Sequence, residues 1–161
     1  MSAILSGEGF RFLFRTDKGE IARDVWWLGT ALTGAVALVA TIIWLVVSPL
    51  AKHNLAERGL IDPATLGVHL YLAVYAFLIL LTAVCWYNLT AKRFRALGRA
   101  PAFAGLPLVL GLLAGAAHWA SPRLPEVVPL WSAYVIDAVL ACAILWTLFE
   151  CGLKSETQET A

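Results

Sequence analysis

Four long apolar blocks, separated by short polar stretches, constrain this chain more than any other feature. They run from about residue 25 to 50, 66 to 89, 103 to 120 and 130 to 152. About 20 apolar residues in a helix, rising ~1.5 Å each, cross the ~30 Å hydrocarbon core of a bilayer. A soluble domain is roughly 45–50% apolar and ~25% charged; this chain is 60% hydrophobic and 14% charged. The excess falls in blocks, with neither strand alternation nor a one-sided helical stripe. The expectation is an all-α, integral membrane four-helix bundle forming a single domain over 1–161. The arm before residue 25, the three connections and the tail SETQETA are too short to bury cores of their own. No apolar leader is evident near the start, so insertion is expected to use the first spanning helix itself.

The basic residues predict an orientation. Arg11, Arg15, Lys18 and Arg23 precede the first span, Lys92, Arg93, Arg95 and Arg99 follow the second, and Lys154 follows the fourth. The other two connections hold only Lys52, Arg58 and Arg123. Lys and Arg collect on the cytoplasmic side, so both termini are expected inside. Trp26, Trp27, Trp86 and Tyr87 then mark inner ends of helices, and Trp44, Trp119 and Trp131 outer ones, at the depth amphipathic rings favour. In GFRFLFR, Phe10, Leu13 and Phe14 share one helical face beside Arg11 and Arg15. Two placements are open: a short helix in the interface near anionic lipid headgroups, or phenylalanines covering the inner mouth of the bundle. The basic residues Arg11, Arg15, Arg23, Lys92, Arg93, Arg95 and Arg99 form a candidate cytoplasmic surface. A net charge of +1 gives no reason to expect nucleic acid.

Within lipid, helices associate through small residues more than through apolar burial. Gly111 and Gly115 form a GxxxG on the third span, with His118 next on that face. The first span offers Thr30, Gly34, Ala37 and Thr41, the second His69, Ala73 and Ala76, the fourth Ala133, Asp137 and Ala141. Gly34, Gly111, Gly115, Ala133 and Ala141 are the expected packing positions. The polar residues ride on these stripes, which turns Asp137 toward protein. Side chains lean toward the N-terminus of their helix, so His118 and Asp137 lean toward each other. A charge at mid-span costs about 2.5–3.5 kcal/mol on insertion scales, which favours a His118–Asp137 contact or a neutral Asp137 donating to a neighbouring helix. His69 completes a candidate intramembrane cluster. Glu150, near the inner end of the fourth span, is expected to reach Lys92 or Arg93.

Two inner segments resemble a known family. FRTDKGEIARDVWWLG, residues 14–29, carries Gly19, Ile21, Arg23, Trp26, Trp27 and Gly29; AKRFRALGRAPAFAG, residues 91–105, carries Lys92, Arg93, Leu97, Gly98 and Arg99. Together they resemble the YhaH-type family of small bacterial inner-membrane proteins of unknown function. The resemblance implies a small helical bundle in a bacterial inner membrane. Glu20 stands where that family usually has Arg, and Arg95–Ala96 where it has His–Asp.

No P-loop, GxSxG or HExxH occurs, and no catalytic residue, metal site or cofactor is expected. Cys85, Cys142 and Cys151 lack ligand spacing and read as free thiols. The first functional expectation is a non-enzymatic accessory or assembly subunit, packing laterally with a protein partner or with itself. The alternatives are a small oligomeric transporter or channel using Asp137 and His118, and, more weakly, a haem protein ligated by His69 and His118.

Overall fold

Each apolar block folds as a helix in the computed structural model, which describes residues 7–51 and 63–154. A short helix α1 (Gly7–Arg15) is followed by α2 (Arg23–Val47), α3 (Pro63–Ala96), α4 (Leu106–Ala120) and α5 (Leu130–Leu153). Two 3-10 turns, Ser48–Ala51 and Pro101–Gly105, follow α2 and precede α4. No strand occurs among the described residues. Four helices, counting Pro101–Gly105 as the start of the third, are long and apolar enough to cross a membrane. The protein is an all-α, multi-pass membrane protein. Lys52, Arg58 and the tail SETQETA lie outside the described residues.

The spanning helices pair as two antiparallel hairpins, α2 with α3 and α4 with α5. Tyr71 donates to the carbonyl of Ala40 at 2.8 Å, and the hydroxyls of Tyr75 and Thr41 meet at 3.2 Å, tying α3 to α2. Trp44 stacks on Tyr75 in the same seam. Buried Ala114 and Ala117 of α4 and Ala133 and Ala143 of α5 belong to the second hairpin, where small side chains suit close approach of the two backbones.

Among the described residues, every hydrogen bond, ion pair and ring contact between the hairpins lies at one end, here called basal. There Leu13, Phe14, Ile21, Trp26, Leu89, Ala91, Phe94, Ala104 and Cys151 form a buried core. Phe94 packs against Phe103 and stacks on Trp146, with centroids 5.6 Å apart in the latter pair. The position of this core has a physical cause. Apolar side chains gather where water is the alternative; inside lipid that drive is absent, and the spans leave most of their apolar side chains exposed.

The α3 helix does not stop with its apolar run but continues through Lys92–Ala96. Gly98, at φ +65°, ends it. The Arg99 amide donates to the Phe94 carbonyl and the Gly98 amide to that of Arg95, each at 2.8 Å, the paired bonds of a Schellman stop. The first spanning helix ends earlier than the apolar block, at Val47, with Pro49 in the 3-10 turn that follows; proline has no amide hydrogen to continue a helix.

Candidate functional site

Two polar constellations stand out. The first is on the α4/α5 hairpin, away from the basal core. His118 lies one turn from buried Ala114, and Asp137 one turn from buried Ala133, so both sit at the edge of the packed seam. His118 Nε2 is 2.7 Å from Asp137 Oδ2, and the Tyr134 ring meets the imidazole edge-on at 6.2 Å. The two side chains are 45% and 41% exposed. Among the described residues, His118 Nδ1 and Asp137 Oδ1 have no hydrogen-bond partner. A pair of this kind can hold a proton between its members or bind a polar group from outside. His69 lies on α3, in the other hairpin.

The glycines divide unexpectedly. A Cβ at Gly34, Gly111 or Gly115 would have no atom within 4 Å, and Ala141 is exposed. Within the protein these are therefore not the packing positions; of the five expected, Ala133 alone is fully buried. The seam of α4 runs through Ala114 and Ala117, to one side of the GxxxG stripe. Close approach occurs instead at Gly29, against Leu89, and at Gly152, against Trp27.

The second constellation is basal and corrects the expected basic surface. Lys92 and Arg93 are fully buried. The last carbonyls of a helix lack partners within it and attract cations, and these two residues supply them to two different helices. Lys92 Nζ donates to the carbonyls of Phe12 and Leu13 in the last turns of α1, and lies over the Phe12 ring. Asn88 adds a 2.7 Å bond to the Phe14 carbonyl. Arg93 donates to the carbonyls of Cys151 and Lys154 at the end of α5, at 3.0 and 2.8 Å, and to that of Ile21 at 3.4 Å. Trp27 Nε1 donates to the Gly152 carbonyl at 3.2 Å.

Arg95 extends the pattern, pairing with Asp17 at 3.2 Å and donating to the Asp17 carbonyl. Glu150 meets Lys154 at 2.8 Å and Arg99 at 3.9 Å, rather than Lys92 or Arg93, whose donors are directed at helix ends. Of the expected surface, Arg11, Arg15, Arg23 and Arg99 remain exposed. Leu13 and Phe14 of α1 enter the basal core, while Phe10 stays half exposed. The phenylalanines thus divide between the two placements that the sequence left open.

The bonds made by Asn88, by Asp17 and between Trp27 and Gly152 were not expected from the sequence. Asn88 carried a signal, since an amide at the end of an apolar span must find a partner. Among the described residues no three His, Cys, Asp or Glu side chains group as metal ligands. Compared with known family models, curated proteins and solved structures, the chain matches none.

Proposed function

We propose that the protein is a small, non-enzymatic accessory or assembly subunit that works by packing laterally against another membrane protein. The observation carrying this is a groove of about 260 Å³ between α2 and α3. Thr30, Gly34 and Ala37 line it from one helix, and Thr82, Ala83 and Trp86 from the other. Small and hydroxyl side chains at an open helix face let a partner's backbone approach, which is how helices recognise each other in lipid. Among the described residues, the Thr30 hydroxyl oxygen is buried without a hydrogen-bond partner at the edge of this groove.

In this reading the basal end is cytoplasmic, as the positive-inside bias favours. The exposed Arg11, Arg15 and Arg23 then lie beside anionic headgroups, and the resemblance to the YhaH-type family supports a bacterial inner membrane. Native mass spectrometry of the protein, extracted from its own membranes in mild detergent, tests the proposal. The expected result is a stoichiometric foreign protein that is lost in Gly34→Leu, a substitution that fills the groove where no atom now lies. Recovery without any foreign protein overturns it. A second reading, an oligomeric transporter, is favoured by the 2.7 Å His118–Asp137 contact; a homo-oligomer free of other proteins supports that reading instead.

A further inference from the structure

We propose that the α4/α5 edge bearing His118 and Asp137 is a two-fold interface with a second copy of this chain. The inference goes beyond the accessory reading and uses a different face from the α2/α3 groove. It starts from the protons of the pair. Asp137 is seven residues into α5, about 10 Å along its axis, so the pair lies within the spanning part of the hairpin. Net charge is strongly disfavoured there, which selects the two neutral arrangements: imidazolium with carboxylate, or imidazole with carboxylic acid. In both, the bridging proton lies between Nε2 and Oδ2. In both, one of Nδ1 and Oδ1 is a donor and the other an acceptor, according to the tautomer.

Each copy therefore presents one unused donor and one unused acceptor, at the two outer ends of the bonded pair, on side chains 45% and 41% exposed. A two-fold axis along the membrane normal sets the donor of one copy opposite the acceptor of the other, twice, since an isologous interface brings the same patch together from both sides. The resulting ring of two histidines and two aspartates satisfies all its polar atoms. A hydrocarbon chain can satisfy neither Nδ1 nor Oδ1. A foreign helix has to bring a matched acceptor and donor at one depth, whereas a second copy does so by identity.

The neighbouring surface allows the approach. Gly111 and Gly115 follow His118 along the same side of α4, and Ala141 follows Asp137 along that side of α5. Neither glycine has an atom within 4 Å of a Cβ position, and Ala141 is exposed. Tyr134, exposed beside the imidazole, borders this face, so the second backbone comes closest at Gly115 and Ala141.

Subunit counting by single-molecule photobleaching, on the full chain in vesicles made from its own membranes at low density, tests the proposal. Two bleaching steps are expected for the wild type. Asp137→Leu removes one of the two unused groups and Gly115→Leu places a wedge in open space, so each is expected to weaken self-association at least ten-fold. Gly115→Leu is also expected to leave the thermal unfolding midpoint of the solubilised protein unchanged, which separates loss of the interface from loss of the fold. Single bleaching steps in the wild type, or two-step counts unaltered by Gly115→Leu, overturn the interface. Monomers bound to a foreign protein sink the dimer and leave the accessory reading standing. Dimers without a foreign protein do the reverse.

Discussion

At Gly152 a hydrogen atom is all the fold admits. A methyl group there would lie 2.5 Å from the Trp27 ring, and that ring is held by its bond to the Gly152 carbonyl and by edge contact with Trp26. Gly152→Ala is therefore expected to destabilise the protein by about 1–3 kcal/mol, the usual range for overpacking, seen as a lower unfolding midpoint in detergent. Gly29→Ala meets the Leu89 side chain, its methyl groups first; an aliphatic side chain shifts more readily than an indole held by a hydrogen bond, so it should cost less. Gly111→Ala meets nothing and should leave the midpoint where it is. Equal effects at Gly152 and Gly111 would show that the Trp27 contact does not hold the hairpins together. The sequence identifies all three residues as glycine but cannot rank them, because the ranking depends on which side chain stands opposite. His118 and Asp137 were legible for the contrary reason. They are polar, they lie on helices adjacent in the chain, and the lean of their side chains gives their direction.

The elements are joined by their ends. Lys92 and Arg93, adjacent on α3, reach the carbonyl ends of α1 and α5 respectively, so one helix terminus organises two others. The rule that reads Lys and Arg as topology signals counts these residues and places them on a surface, since a tally along the chain does not contain the helix ends that come to meet them. The apolar blocks were legible because spanning depends on length and composition summed along the chain, whereas capping depends on where distant termini arrive. Lys92→Met keeps the length and apolar stem of the side chain but removes its donors. Hydrogen bonds from charged groups contribute roughly 1.5–3 kcal/mol, and losing them should loosen α1 from α3 before the spans are affected. Trypsin should then cut faster at Arg15 and Lys18 in Lys92→Met than in the wild type, with Asn88→Ala acting in the same direction. Unchanged cleavage in both variants would mean that burial of Leu13 and Phe14 is sufficient to dock α1.

For the whole molecule, the confinement of the core to one end bears on its placement in the membrane. The basal end gathers buried Lys92 and Arg93 with exposed Arg11, Arg15, Lys18 and Arg23. At the opposite end of α4 and α5, the turn between them carries Arg123 and Glu126. Moving the basal group across the bilayer during insertion carries at least Arg11, Arg15, Lys18, Arg23, Lys92 and Arg93 through hydrocarbon, at about 2.5–3.5 kcal/mol each on insertion scales. Moving the other two connections carries Lys52, Arg58 and Arg123. The expected orientation therefore places the basal end in the cytoplasm. Single cysteines introduced as Lys18→Cys and Glu126→Cys report on it directly, with the unsubstituted protein as the blank for its own three thiols. In intact cells a membrane-impermeant maleimide should label Glu126→Cys at once and Lys18→Cys only after permeabilisation. The opposite pattern would put the capped helix ends and the exposed arginines outside, away from the anionic cytoplasmic leaflet. Lateral packing through the α2/α3 groove could survive that result, because a groove within the bilayer is reached by a neighbouring helix in either orientation. The pairing of Arg11 and Arg15 with anionic headgroups could not.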